Sequence, residues 1–295
     1  MTDHSSAVIE SQVDWLTCSA HSEDRSRQLS DLADDLLTGA EAAGNHRVGW
    51  RSMGYLGYHC GQIDWGRRDE RQAILRVTGG SAHTHLRRVL EVSDYVSRLD
   101  VAVTWRAAPP DPHIGRNAYS LADLWYRKHP RAMQPSFHGD AAGGYTCYLG
   151  DRRSPYYARI YNKEAERASR QDDTLAQHYA GCWRYEVEAH DQRAVALASA
   201  VADSGQRADW IQEWLYQFFT TRGITTPFPA TGEAVLVAGF HRRSDDQTRL
   251  RHLARNVAPT VARLQARGLG REAREALGLE PGEKLLTRLE QLLRL

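Results

Sequence analysis

The chain has almost no net charge. Across 295 residues, 38 Lys+Arg face 37 Asp+Glu, leaving +1 with neutral histidines. Bulk electrostatics therefore does not advertise a polyanion partner, and any such contact must come from local clusters. Cysteine is scarce too: Cys18, Cys60, Cys147 and Cys182 form no CxxC pair and no metal-ligand spacing. That pattern argues against a disulfide framework and predicts reduced, mostly buried thiols in an intracellular, cytoplasmic protein. No apolar run approaches the ~20 residues that cross a bilayer, and MTDHSSAVIE does not read as a signal peptide. Lysine is rare, so nearly all the basic residues are arginine. Arginine suits bidentate phosphate contacts, although a GC-rich coding sequence gives the same bias.

What is present is an ordinary globular composition, 41% hydrophobic and 25% charged, in a chain long enough for one large or two small domains. Charge is spread unevenly: residues 1–45 carry nine Asp/Glu against two Arg, and residues 241–295 carry twelve Lys/Arg against seven acids. Residues 11–20 alternate like a strand, and 23–43 predict an amphipathic helix through Leu29, Leu32, Leu36, Leu37 and Ala40. VGWRSM, YLGYHCGQIDWG and QAILRVTGG read as short strands, 82–92 and 117–128 as helices, and the chain from Asp191 on as mostly helical. The Gly79-Gly80 junction between strand and helix can hold an anion, but is more often a turn. This mixture predicts an α+β fold: an antiparallel β-sheet with helices on one face and a polar, catalytic other face, plus a helical C-terminal region.

Three strands each separate one polar from one apolar face, because alternate side chains point to opposite sides. VSRLDVAVTW puts Arg98, Asp100, Ala102 and Thr104 on one side and Leu99, Val101, Val103 and Trp105 on the other. YYARIYNK groups Tyr157, Arg159, Tyr161 and Lys163, and CWRYEVEAH groups Arg184, Glu186, Glu188 and His190. If the three are neighbours, carboxylates, arginines and a tyrosine share one surface. That layout suits metal-assisted phosphoryl transfer by a phenol nucleophile, and equally a solvated face laced with ion pairs.

The residues themselves resemble the Rep_trans family of rolling-circle plasmid replication initiators and conjugative-element relaxases. Its pattern G-x-R-x-S…R-I-Y-N-K-x-x-E-R is matched by Gly150, Arg152, Ser154, Arg159, Ile160, Tyr161, Asn162, Lys163, Glu166 and Arg167. Upstream, Arg98-Leu99-Asp100-Val101-Ala102-Val103 is similar to the family's R-[IL]-D-[IL]-A-x-D strand, and downstream Trp183 to Glu188 mirrors W-R-[VF]-E-[IV]-E. The resemblance covers residues 95–195 well. It implies a DNA-nicking domain over 1–195 and a mainly helical C-terminal region over 196–295.

By that resemblance Tyr161 is the nucleophile, leaving a 5′-phosphotyrosyl link and a free 3′-OH. Tyr157 shares its face and is the one rival. Asp100, Glu186 and Glu188 would bind Mg²⁺ or Mn²⁺, and Arg152, Arg159, Lys163 and Arg184 would contact DNA. Arg251 and Arg255, four apart on a helix expected to begin near Asp246, would extend that surface. Thr104 stands where the family usually has a second acid, so the shell needs Glu188 or His190 to complete it. The family's known partners are DNA, as an origin hairpin or single strand, and host helicase and polymerase; a homodimer is compatible. His83-Thr84-His85 invites comparison with the paired-histidine motif of other rolling-circle nucleases, but its position at the start of a helix argues against it. The alternative to a nickase is a catalytically degenerate DNA-binding protein on the same scaffold.

Overall fold

The computed structural model describes residues 7–52, 55–109, 111–130, 133–140 and 144–233. In chain order the elements are β1 (Ala7–Ala20), α1 (Glu23–Ala42), β2 (Val48–Ser52), β3 (Tyr55–Cys60), β4 (Ile63–Arg67), β5 (Ala73–Thr78), α2 (Gly79–Val92) and β6 (Tyr95–Arg106). There follow α3 (Ile114–Lys128), β7 (Pro135–Asp140), β8 (Gly144–Leu149), β9 (Tyr156–Asn162), α4 (Lys163–Ser169), α5 (Asp173–His178), β10 (Cys182–His190), α6 (Gln192–Asp203) and α7 (Ala208–Thr220). The strands form one ten-stranded sheet in the order β2-β3-β4-β5-β1-β6-β10-β9-β8-β7, every pairing antiparallel.

The helices begin and end where their chemistry dictates. The Ser22 hydroxyl accepts from the Arg25 N–H to cap α1, Glu23 and Asp24 sit in its positive first turn, and Leu29, Leu32, Ala33, Leu36 and Leu37 form its buried stripe. That stripe, with Leu86 and Val89 of α2, Leu197 and Val201 of α6 and Trp214, Phe218 and Phe219 of α7, joins one core with Leu16, Leu75, Leu99, Val187 and Tyr185 from the sheet. All four cysteines are free and buried.

The described residues belong to one compact unit, so α7 and most of α6, which lie in the region after residue 195 that the sequence set apart, pack with the sheet. The second unit, Ala238–Leu295, with Arg251 and Arg255 and the expected basic tail, lies outside the described residues. Strand β7 was not expected from the sequence. Among the described residues no helix is long and apolar enough to cross a membrane.

Candidate active site

The site lies on the sheet face opposite the core helices. Register brings the polar positions into rows across neighbouring strands. Asp100 on β6 faces Glu188 on β10, which faces Tyr157 on β9; Thr104 faces Arg184, which faces Tyr161. Ala102 faces Glu186, which faces Arg159. These central strands are flanked on both sides, so the row is deep: Asp100, Glu186 and Arg184 are each 1% exposed. Asn162 ends β9 by accepting the Ala165 N–H as the cap of α4, which fixes Tyr161 at the mouth of the strand and Lys163 in the first helical turn.

Tyr161 donates its hydroxyl to Glu186 Oε2 at 3.0 Å, and Glu186 Oε1 accepts from Arg159 Nη2. Burial pushes the phenol well above its ordinary value, and the charge of Glu186 pushes it further. Burial works against ionised Glu186, but Arg159 and Arg184 more than offset it and hold the carboxyl below its ordinary value. A neutral phenol thus rests on an ionised acceptor. Lys163, buried and ion-paired to Glu166 at 3.0 Å, lies 5.6 Å from the Tyr161 ring centre. Burial, and then Arg184, lowers its pKa.

Around this pair lies a cleft of about 740 Å³, lined among others by Asp100, Arg98, Arg152, Arg159, Tyr161 and Glu188. The Arg159 Nε is buried without an acceptor, a donor that a phosphate oxygen would satisfy. Arg152 is exposed and lies 5.9 Å from the ring centre of Tyr157. Tyr157 itself is 6% exposed and stacks on Tyr148 at 5.7 Å, and burial raises its pKa. Tyr156 points the other way, into Trp214 and Phe218.

Arg184, expected among the DNA ligands, is instead an internal counter-ion. Its Nη1 donates to Glu10 Oε1 at 2.7 Å and Thr104 Oγ1 at 3.2 Å, and its Nη2 lies 2.7 Å from Asp14 Oδ1. Glu10 and Asp14, both on β1, were not singled out in the sequence. Glu10, Gln12 and Asp14 share one parity, and the register shift between Val13 and Trp15 adds Trp15 to their polar face. The bulge also explains His83: its Nδ1 accepts the Val13 N–H at 3.2 Å, a structural task.

Five carboxylates (Glu10, Asp14, Asp100, Glu186, Glu188) thus meet three guanidinium groups (Arg98, Arg159, Arg184). Among the described residues no three Asp, Glu, His or Cys side chains converge as ligands of one ion. Asp100 and Glu188 come closest. Arg98 donates to both Asp100 oxygens at 2.8 and 2.6 Å, and its Nη2 lies 2.9 Å from Glu188 Oε2. Burial, with Glu186 and Glu188 nearby, raises the Asp100 pKa despite Arg98. Asp100 and Glu188 are both hard oxygen donors of the type a divalent ion takes. Arg98 holds both Asp100 oxygens and one of Glu188, however, so an ion would bind there only by displacing that guanidinium. Glu186 is engaged in the same way, by Arg159 and by the Tyr161 hydroxyl. His190 Nε2 lies 2.9 Å from Glu188 Oε1.

The place expected to carry a second acid is filled from β1. Thr104 donates its hydroxyl to Glu10 Oε1 at 2.8 Å, opposite it in the register. Thr104→Asp is therefore expected to set two carboxylates against each other rather than complete a shell. Their mutual repulsion raises the folded-state pKa of the pair, so stability is lost as pH rises through the carboxylate range. Thermal melts at about pH 4 and pH 8 should show a deficit confined to the higher pH; equal melts at pH 8 would mean that Arg184 neutralises both groups.

The Rep_trans family model, described as replication initiation factor, matches residues 126–223, about a third of the chain. The match spans β9 and β10 with Tyr161 and Glu186; Asp100 lies outside it. The chain is also similar to the structure of the rolling circle replication initiator protein from Geobacillus stearothermophilus. The identity there is 17%, over 76% of this chain and 89% of that chain, with a TM-score of 0.47. No curated protein is significantly similar to the chain.

Proposed function

We propose that the protein nicks and rejoins DNA strands to initiate rolling-circle replication or conjugative transfer. The observation that carries the reading is the hydrogen bond from the Tyr161 phenol to a buried, ionised Glu186 beside an arginine-lined cleft. The match to a replication initiation factor model over the same strands supports it.

In this reading a DNA phosphate enters between Arg159 and Arg152. As Arg159 turns to the phosphate, Glu186 loses its nearest cation and becomes the stronger base. Glu186 takes the phenol proton, the Tyr161 oxygen bonds to phosphorus, and the phosphorus–O3′ bond breaks. The departing 3′-oxygen takes up a proton from solvent water, leaving a 3′-OH and a 5′-phosphotyrosyl link. Arg159 offsets the charge that develops on the phosphate oxygens. Asp100 and Glu188 would hold Mg²⁺ or Mn²⁺, which supplies further neutralisation of the scissile phosphate.

Incubation with a single-stranded DNA library, followed by denaturing separation of covalently attached DNA, tests the proposal. Glu186→Gln should form adduct about 10²- to 10⁴-fold more slowly. Its residual rate should climb with pH, because solvent must now take the proton, whereas the parent stays level between about pH 6 and 9. Asp100→Ala should reduce cleavage far more than binding, and chelation by EDTA should mimic it. The second reading, a degenerate DNA-binding protein, is favoured by the engagement of every one of these carboxylates with a guanidinium. Full DNA binding without adduct from any library member would establish it.

A further inference from the structure

The polar face does not end at β6. Register carries it on through β1 and β5 to β2, where Arg76 pairs with Asp64, Asp64 with His59, and Gly66 with Gly57, itself opposite Trp50. Here the face opens into a second cavity of about 400 Å³, within the range of small-ligand sites. Trp50, Tyr55 and Ile74 supply its apolar walls; His59, Asp64 and Arg76 supply its polar end. The glycines make the room. The Trp50 indole lies so close over Gly66 that a Cβ there would meet Trp50 Cη2 at 2.7 Å, and a Cβ at Gly57 would strike the Trp65 carbonyl.

A side-chain track joins this cavity to the first. Arg76 donates to Asp64 Oδ2 at 3.2 Å and lies 5.3 Å from the Trp15 ring centre. Arg98, which bridges Asp100 and Glu188, lies 4.4 Å from the same ring. From β9, which carries Tyr161, to β3 and β2, which carry Tyr55 and Trp50, is six to seven strand spacings, roughly 30 Å. Guanidinium groups over an indole, leading from a phosphate cleft to an aromatic cavity with a polar end, match what an unpaired strand presents: phosphates along its backbone and bases with a π-face and a hydrogen-bonding edge.

We propose that the Trp50–Tyr55 cavity binds an unpaired base of the DNA strand that lies along this face, with Arg76, Trp15 and Arg98 as the path of its backbone. This rests on DNA being the substrate of the Tyr161 site. It adds a second anchoring point, six to seven strand spacings from the reacting phosphate, that uses stacking rather than charge.

The test is best made in a Tyr161→Phe background, so that binding is read without chemistry, using fluorescein-labelled dT20. Trp50→Ala should weaken binding roughly 5- to 100-fold, the size of one base–aromatic stack, without changing the dependence on salt. Arg76→Gln should weaken binding and flatten the plot of log affinity against log salt by about 0.7. Trp50→Phe, which keeps a ring, should bind nearly as the parent does. To cover a fold-disrupting change at Trp50, the unmutated protein is irradiated with dT20 carrying 5-iododeoxyuridine, and the crosslinks should map to Trp50 or Tyr55. Unchanged dT20 affinity in a folded Trp50→Ala variant, or crosslinks that all lie elsewhere, overturns the proposal. Failure of the Tyr161 reading is separately visible: it shows as no covalent adduct from the unmutated protein, whatever dT20 binding does.

Discussion

Tyr161→Phe is expected to fold and to bind single-stranded DNA as the unmutated protein does, while covalent adduct falls by at least about 10³-fold. The hydroxyl is the attacking atom and its one hydrogen bond goes to Glu186 Oε2 at 3.0 Å. Losing that bond to a charged group should cost about 1.5–3 kcal/mol of stability, and Glu186 keeps Arg159 as a partner. The ring stays in place between Arg159, 5.8 Å from its centre, and Lys163 at 5.6 Å. Tyr157→Phe, in contrast, should leave adduct formation intact. Its ring is stacked on Tyr148 under Arg152, and it faces Glu188, which Arg98 and His190 engage. Mass spectrometry of the phosphotyrosyl peptide decides between the two. Adduct persisting in Tyr161→Phe and mapping to Tyr157 would reverse the assignment.

Alternation in the sequence located this face correctly on β6, β9 and β10, because in regular antiparallel strands parity alone decides which side chains meet. The observed rows Asp100–Glu188–Tyr157 and Thr104–Arg184–Tyr161 follow from it. Parity failed on β1. There the register shift at Val13/Trp15 puts the odd-numbered Trp15 on the same side as Glu10 and Asp14, and the strand, expected from residue 11, begins at Ala7, so Glu10 lay outside the expected strand. Strand β7 went unseen because its start is a proline and it carries Gly139 at φ +116, neither of which reads as a strand. Depth was a third loss. A pattern shows which way Arg184 points but not that β10 lies between β6 and β9, and that position sets whether the guanidinium meets DNA or the protein's own acids.

Arg184→Met measures that last difference. The guanidinium is 1% exposed and surrounded by Glu10, Asp14 and Glu186, at 2.7, 2.7 and 3.7 Å. Removing it leaves buried carboxylates without their shared cation, which should cost about 3–5 kcal/mol and lower Tm by roughly 6–20 °C for a unit of this size. The deficit should depend on pH. In the unmutated protein Glu186 sits below its ordinary value of 4.5, so its stabilising contribution is present above that value and lost as the solution is acidified. In the variant the orphaned carboxylates shift upward, so their folded forms favour the proton and lose stability as pH rises. The two melting curves should therefore converge toward about pH 4 and separate above about pH 5. A DNA-contacting arginine would behave otherwise: its loss would leave Tm nearly unchanged at every pH and weaken DNA binding with a flatter salt dependence. Melts across pH, together with a salt titration of dT20 binding, separate a buried counter-ion from a phosphate ligand at this one position.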